Sequence, residues 1–133
     1  MLFFTKHLAD CVILTHDNKI LMQQHLESWG KYAGVLNLFG GHVEEGETII
    51  QALIRELHEE LGAIVEPSDV IFLGAVTEDE TNHTELVHVH FWHDKENTIT
   101  GCYEAEDRRY DTIGEALAHP KNHGLRQMGF VRG

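Results

Sequence analysis

The chain has 133 residues, of which 42% are hydrophobic and two are prolines, so we expect one folded domain over residues 1–133 and no broad disorder. Its net charge of −12 argues against a surface that binds nucleic acid or an anionic membrane non-specifically, because such surfaces need clustered lysine and arginine. The apolar start Met1–Phe4 is too short for a signal peptide and no stretch could cross a bilayer, so we expect a cytoplasmic protein with no membrane or nucleic-acid partner.

Three segments in the first part of the chain predict strands from their apolar content: Asp10–Thr15, Ile20–Gln24 and Val35–Phe39. The first two are joined by the turn-forming residues 16–19, which indicates a hairpin. Residues 26–33 form a polar connection, and the third strand delivers the pair Gly40-Gly41 in a loop. Two cysteines do not make a disulfide framework, and we expect Cys11 to be a reduced core residue.

Thr48 begins a helix that ends at Leu61, followed by the C-cap residue Gly62. Gln51, three residues after Thr48, completes a capping-box pattern. One stripe of the helix is apolar and should face the core; it comprises Ile50, Leu53, Ile54, Leu57 and Leu61.

After this helix, Pro67 interrupts regular structure and two further strands are predicted, at Val70–Val76 and Glu85–His93. Residues 77–84 form an acidic loop between them, and residues 96–100 form a turn or a short strand. A final helix is predicted over Asp111–Ala118, stopped by Pro120. The order of strands and helices predicts helices packed on a mixed sheet.

A second stripe of the first helix carries Glu56, Glu59 and Glu60 at i, i+3 and i+4. Three crowded carboxylates repel one another, and a negative cluster at a helix C-terminus has the wrong sign for the macrodipole. A cation would offset both costs, and hard oxygen ligands suit Mg²⁺ or Mn²⁺ carrying substrate phosphates. The alternative is a solvated acidic face, which explains neither the upstream glycines nor Arg55.

The pattern resembles the signature of the Nudix hydrolases: a glycine, five residues, a glutamate, seven residues, then Arg-Glu-apolar-x-Glu-Glu-x-Gly-apolar. The matching positions are Gly41, Glu47, Arg55, Glu56, Leu57, Glu59, Glu60, Gly62 and Ala63. Ala63 is a smaller residue than is usual there. Phe39 stands where many relatives have proline, which bears on the rigidity of the glycine loop and not on the metal site.

The resemblance implies an α/β fold, a Nudix-like α/β/α sandwich with a mixed β-sheet between helices. It implies a hydrolase that cleaves a phosphoanhydride bond in a nucleoside diphosphate linked to another moiety X, by attack of metal-activated water. The implied cofactor is Mg²⁺, with Mn²⁺ as a substitute, and the implied partner is a small-molecule nucleotide. Such chemistry needs charge neutralisation, a more acidic water and in-line positioning, all of which a bound metal supplies.

By the same resemblance, Glu56, Glu59 and Glu60 are the metal ligands and one of them, left open, deprotonates the attacking water. The carbonyl of Gly40 is a further ligand. Arg55 and Glu47 orient the glutamates, although an ordinary surface ion pair worth ~0–1 kcal/mol is the alternative for that pair.

An acid from outside the signature completes the metal site in many relatives. Glu104 and Glu106 precede the last predicted helix, and Glu104 aligns better. Residues 78–80, all acidic, are rivals for this role, and an exposed acidic loop is the alternative for Glu104.

The substrate is left largely open. Residues 78–81 lack the subfamily proline of ADP-ribose hydrolases and the tyrosine of dinucleoside polyphosphate hydrolases, which favours a nucleoside triphosphate or a related nucleotide. The alternatives are an ADP-sugar, a dinucleoside polyphosphate, an RNA end (disfavoured by the acidic charge) and a non-catalytic nucleotide-sensing module. Four aromatic residues could stack a base or simply pack: Trp29, Tyr32, Phe39 and Trp92.

His88 and His90 share one face of their strand, and a His-x-His pair can ligate zinc or copper. No cysteine or carboxylate lies at a diagnostic spacing, so we expect them to line a polar face or the substrate cleft, opposite core residues Val87, Val89 and Phe91. The oligomeric state, including a homodimer, stays open. An end at Gly133 without a terminal helix is compatible with a truncated chain.

Overall fold

The computed structural model describes residues 4–24, 36–77 and 84–118. The strands within these ranges are β1 (Lys6–Leu14), β2 (Ile20–Gln24), β3 (Leu36–Asn37), β4 (Phe39–His42), β5 (Ile71–Val76), β6 (Glu85–His93) and β7 (Glu106–Tyr110). The helices are α1 (Ile49–Leu61) and α2 (Ile113–Leu117), with a 3₁₀ turn at Pro67–Asp69.

Strand β1 is the centre of a mixed sheet. It pairs in parallel with β6 along its whole length, from Lys6 opposite Glu85 to Leu14 opposite His93. On its other side it pairs antiparallel with β4 along its middle, at Leu8–Cys11, and with β2 at its end. Strands β3 and β7 pair with β2, and β5 pairs with β6, all antiparallel.

The two helices cover opposite faces of this sheet, which confirms the predicted α/β/α sandwich. Helix α1 packs on β1 and β4, where Leu53, Leu57 and Leu61 bury against residues such as Cys11 and Trp92. Helix α2 packs on β2 and β7, with Ala116 and Leu117 in a second core on the other face. None of the described helices is long and apolar enough to cross a membrane.

Helix α1 forms as its caps predict. The Thr48 side chain accepts a hydrogen bond from the Gln51 amide while the Gln51 side chain accepts one from the Thr48 amide. Gly62 closes the helix at φ +69°, and its N–H donates to the carbonyl of His58. The buried surface differs from the predicted apolar stripe, because Ala52 and Glu60 are buried as well. Ile49, rather than the predicted Ile50, packs against this core.

The glycine pair lies in a strand, which corrects the predicted loop. Instead of one strand over Val35–Phe39, the described residues form β3 and β4 on either side of Leu38, and Gly40 and Gly41 pair with β1 inside β4. Gly40 has φ +144°, and a Cβ there would lie 2.0 Å from the carbonyl oxygen of Ala9. Only glycine permits this close approach. Residue 35 lies outside the described residues.

Other boundaries differ more modestly. Strand β1 begins at Lys6 rather than at Asp10, so Asp10 is interior to the strand. Strand β7 was not predicted, because its charged residues Glu106–Arg109 lack the apolar alternation by which a strand is recognised. It is defined by its pairing with β2. Residues 96–100 contain a turn and no strand, and the last helix begins at Ile113 rather than at Asp111.

The chain turns after β6 around Asp94, which is 1% exposed. Its carboxylate accepts hydrogen bonds from the Thr98 amide at 2.8 Å, the Thr98 hydroxyl at 3.0 Å and the Ile99 amide at 3.1 Å. These bonds fix the turn that leads back to the end of α1, where the Thr100 amide donates to the carbonyl of Leu61.

We predict that Asp94→Ala lowers the free energy of unfolding by about 2–4 kcal/mol, because buried amides lose their acceptor. Urea unfolding followed by circular dichroism measures this. The matched control is Asp69→Ala, an exposed aspartate for which we expect a change within about 0.5 kcal/mol. Equal effects of the two substitutions would contradict the assigned role of Asp94.

Candidate active site

Arg55 and Glu47 form a bidentate ion pair at the start of the site. Arg55 Nε and Nη2 donate to the two carboxylate oxygens of Glu47 at 2.7 and 2.9 Å, and Nη2 also donates to the carbonyl of His42 at 3.1 Å. The Arg55 hydrogen bonds lower the pKa of Glu47 to about 2, and Glu47 in turn raises the pKa of Arg55. This fork holds the guanidinium plane in one orientation relative to α1 and β4.

The same guanidinium reaches the acidic stripe of α1. Arg55 Nη1 donates to Glu56 Oε1 at 2.8 Å and lies 3.4 Å from Glu59 Oε2. The Glu56 side chain is 16% exposed, whereas that of Glu59 is 50% exposed. The structure therefore brings Glu47, Arg55, Glu56 and Glu59 together, with the arginine between the acids.

Glu60 lies on the inner side of the stripe and is only 5% exposed. Its Oε2 accepts a hydrogen bond from the Gly40 amide at 3.2 Å. Burial, followed by the negative charges of Glu56, Glu104 and Asp10, raises the pKa of Glu60 to about 9, against the opposing effect of the Gly40 hydrogen bond. A carboxyl group in this setting is protonated at neutral pH unless a cation compensates its charge.

Gly41 makes room for the acidic stripe. A Cβ at this position would lie 2.6 Å from the carboxyl carbon of Glu56 and less than 3 Å from both of its oxygens. The absence of a side chain on β4 thus lets the Glu56 carboxylate approach the strand. Both glycines contact the acidic stripe, since the Gly40 amide donates to Glu60 and Gly41 leaves room for Glu56.

Glu104 is exposed and lies in the segment that returns to the end of α1. The Tyr103 amide donates to the carbonyl of Glu60 at 2.9 Å, which fixes this segment beside the helix. Glu104 is close enough for its charge to raise the pKa of Glu60. The rival acids at positions 78–80 lie outside the described residues.

Within the described parts of the chain, no three His, Cys, Asp or Glu side chains converge as a ready-made set of metal ligands. The contacts above give the reason. Glu56 and Glu59 turn towards Arg55, whereas Glu60 turns towards Gly40. The acids share one neighbourhood, and their side chains would have to rotate towards one another to hold a metal ion.

The aromatic residues and histidines proposed from the sequence do not form part of this acidic cluster in the described residues. Phe39 and Trp92 are 0% and 3% exposed, so they belong to the core and have no face for a nucleotide base. Trp29 and Tyr32 lie outside the described residues. His90 is buried with Nδ1 3.2 Å from the carbonyl oxygen of Asp10, which gives it a structural role.

His88 also has a protein partner. Its Nε2 lies 3.0 Å from Nδ1 of His7, with the two rings stacked, and burial lowers the pKa of His88. Val87 and Val89 are buried on the opposite face, as predicted. The described residues give no support to a zinc site at these histidines.

Asp10 is a site residue that sequence reasoning missed. It lies opposite Gly40 in the β1–β4 ladder, and a Cβ on Gly40 would lie 2.5 Å from Asp10 Oδ1. Its charge contributes to the raised pKa of Glu60. An aspartate inside an apolar strand is unusual, because strands disfavour this residue type, and it could have indicated a site residue. The predicted strand begins at Asp10, which places the residue at the end of the strand, so this indication was missed.

Comparisons with known proteins identify the family and agree with the fold. The model of the NUDIX domain matches residues 5–129. An oxidized purine nucleoside triphosphate hydrolase from Danio rerio is 37% identical over 89 residues, 67% of this chain and 54% of that protein. A CTP pyrophosphohydrolase from Escherichia coli K12 is 33% identical over 110 residues, 81% of this chain and 77% of that protein.

This chain therefore spans about half the length of the Danio rerio relative and about three quarters of the Escherichia coli one. Among solved structures, the MutT protein from Methanosarcina mazei Go1 superimposes with a TM-score of 0.75 at 18% identity, covering 96% of this chain and 92% of that one. The Escherichia coli ORF135 protein superimposes with a TM-score of 0.68 at 25% identity, covering 96% of this chain and 88% of that one. With the signature residues in place on α1 and β4 and the domain model matching nearly the whole chain, the protein belongs to the Nudix hydrolase family.

Proposed function

We propose that residues 1–133 form one Nudix domain that hydrolyses a phosphoanhydride bond in a nucleoside diphosphate linked to another moiety, with Mg²⁺ as cofactor and Mn²⁺ as a substitute. The observation that carries this proposal is Glu60, a buried carboxyl surrounded by Glu56, Glu104 and Asp10 with a strongly raised pKa. Such a cluster is unfavourable in the folded protein unless a cation binds it.

The residues present fit a hard divalent cation. Glu56, Glu59, Glu60 and the Gly40 carbonyl would hold it, with Glu104 as a further acid, and all of these offer oxygen atoms. When bound, the ion would neutralise phosphate oxygens and make a water molecule more acidic.

Glu47 and Arg55 act as positioning residues in this proposal. The two hydrogen bonds to the Glu47 carboxylate fix the orientation of Arg55, and Arg55 Nη1 donates to Glu56 Oε1 at 2.8 Å. One of the three helix glutamates would take the proton of the attacking water, and the choice between them stays open. A preorganised arrangement of this kind avoids the cost of arranging charges during the reaction.

The names of the relatives support a nucleoside triphosphate as substrate. The two relatives that cover most of this chain are described as hydrolases of an oxidized purine nucleoside triphosphate and of CTP. They differ in base, so they support the triphosphate class and not a particular base. The cytoplasmic location stays a prediction from the sequence.

We predict that Glu59→Gln or Glu60→Gln lowers kcat by ~10²-fold or more, because charge compensation in the transition state is lost. The measurement is phosphate release, coupled to pyrophosphatase for nucleoside triphosphates and to a phosphatase for ADP-ribose, nucleotide sugars and dinucleoside polyphosphates. Mg²⁺, Mn²⁺ and EDTA are compared in each case. Turnover that persists in EDTA, or a near-normal rate in both variants, would refute the proposed chemistry.

We predict that Arg55→Lys lowers kcat by roughly 10-fold or more with a smaller effect on KM, since a lysine cannot make the bidentate bond to Glu47 and also hold Glu56. Steady-state kinetics in saturating Mg²⁺ separate the two parameters. Arg108→Lys is the matched control, because Arg108 pairs with Glu106 on the surface. A rise in KM alone would indicate that Arg55 binds substrate without positioning Glu56.

We predict that Glu60 lowers the free energy of unfolding in EDTA by an amount that grows as pH rises from about 4.5 towards 9, because the pKa of Glu60 is raised from 4.5 to about 9 in the folded state. The unfolded chain binds fewer protons in this window, so folding becomes less favourable. Glu60→Gln removes this cost and should stabilise the metal-free protein by about 1–3 kcal/mol at pH 7 and by much less at pH 5.

Urea unfolding of both proteins at the two pH values measures this difference. Glu59→Gln is the control, since Glu59 is half exposed and should change stability little at either pH. If Glu60→Gln destabilises the metal-free protein at pH 7, the buried Glu60 carboxyl does not lower the stability of the folded state, and the prediction is wrong.

A further inference from the structure

Residues 100–103 cover the carboxyl end of helix α1. The Thr100 amide donates to the carbonyl of Leu61 at 2.9 Å, and the Tyr103 amide donates to the carbonyl of Glu60 at 2.9 Å. These carbonyls belong to the last turn of the helix, where the helix itself supplies no donor for them. The returning segment is therefore fixed to the same helix end that carries the buried acid of the candidate site.

Two hydroxyl groups close these residues into a tight turn. Thr100 Oγ1 lies 2.5 Å from the Tyr103 hydroxyl oxygen and 3.3 Å from the carbonyl oxygen of Leu61. A threonine hydroxyl has one proton, so both bonds form when Tyr103 donates to Thr100 and Thr100 donates to Leu61. The two hydroxyl groups thus link the tyrosine ring to the end of the helix.

Two glycines provide the space for this closure. A Cβ on Gly62 would strike Thr100 Oγ1, and a Cβ on Gly101 would lie 3.2 Å from the ring of Tyr103. Tyr103 is nevertheless 61% exposed, so burial in the core is not the reason for its position. Its hydroxyl is the part of the side chain that is held in place, through the bond to Thr100.

Glu104 directly follows this turn and approaches the site from outside α1. It is exposed, and its charge raises the pKa of Glu60, which places the two carboxyl groups in one neighbourhood. The helix fixes the position of the other acids, whereas the position of Glu104 depends on the backbone of the turn before it. A turn that opened would move this carboxylate away from the helix.

We propose that Thr100 and Tyr103 are positioning residues for the metal site, because their hydroxyl pair keeps the turn closed and Glu104 within reach of an ion beside Glu60. This inference rests on the proposed function, since it requires a metal ion among these acids. Residues that hold a metal ligand in place contribute to metal affinity without touching the ion. The alternative is that the hydroxyl pair only stabilises a surface turn, in which case metal affinity does not depend on it.

Binding of Mn²⁺ to the metal-free protein tests the proposal without requiring turnover, and the electron paramagnetic resonance signal of free Mn²⁺ measures it. Tyr103→Phe removes one hydroxyl and keeps the ring, whereas Thr100→Val removes the other and keeps the shape of the side chain. Each should raise the Mn²⁺ dissociation constant roughly 5-fold or more. Thr100→Ser retains the hydroxyl and should bind Mn²⁺ as the wild type does.

Glu104→Gln tests whether the effect passes through Glu104. Alone it should raise the Mn²⁺ dissociation constant roughly 10-fold or more. Combined with Tyr103→Phe it should give the same constant as Glu104→Gln alone, because Tyr103 acts only by placing that carboxylate. Tyr110→Phe is the matched control, since Tyr110 lies on β7 against the second core, and it should leave Mn²⁺ binding unchanged.

The outcomes separate this inference from the proposed function. A wild type that binds no Mn²⁺ would refute both. Mn²⁺ binding that Glu104→Gln weakens, but that Tyr103→Phe and Thr100→Val leave unchanged, would overturn the inference alone. Additive effects of Tyr103→Phe and Glu104→Gln, an equal loss in Tyr110→Phe, or a Thr100→Ser variant as weak as Thr100→Val would overturn it as well.

Discussion

The close contact between helix α1 and strand β4 determines the geometry of the candidate site. Two glycines permit it, since a Cβ on Gly40 would strike β1 and a Cβ on Gly41 would strike the Glu56 carboxylate. The helix is held in place by its capping box at one end and by the Gly62 C-cap at the other. Its leucines anchor it to the sheet, and the acidic stripe is thereby pressed against the strand.

This packing divides the acids of α1 into two groups. Glu56 and Glu59 are near Arg55, whose charge compensates them while the Glu47 fork keeps it in place. Glu60 is buried on the far side of the stripe and receives only one amide hydrogen bond, from Gly40. Arg55 thus offsets the repulsion between Glu56 and Glu59. Glu60 has no such counter-charge, so it is the acid whose ionisation most destabilises the folded protein.

The sequence predicted what depends on local pattern and missed what depends on distant packing. Caps, helical periodicity and the turn at residues 16–19 are local, and they gave α1 and the first hairpin correctly. Four of the five residues of strand β7 are charged, so only its pairing with β2 identifies it as a strand. The burial of Glu60 was missed for the same reason, because the helical wheel cannot show that β4 approaches the helix closely enough to cover its acidic stripe.

Asp10 is the clearest case of a site residue that local sequence patterns could not predict. Its position within a strand and its distance from Gly40 follow from the pairing of β1 with β4, two segments separated by thirty residues and a turn. Nothing within the local sequence places this carboxylate beside Glu60. Yet its charge adds to those of Glu56 and Glu104 in raising the pKa of Glu60, so three separate segments of the chain converge on one buried carboxyl. The candidate site is therefore a property of the assembled sheet, and the signature on α1 supplies only the part of it that lies on one helix.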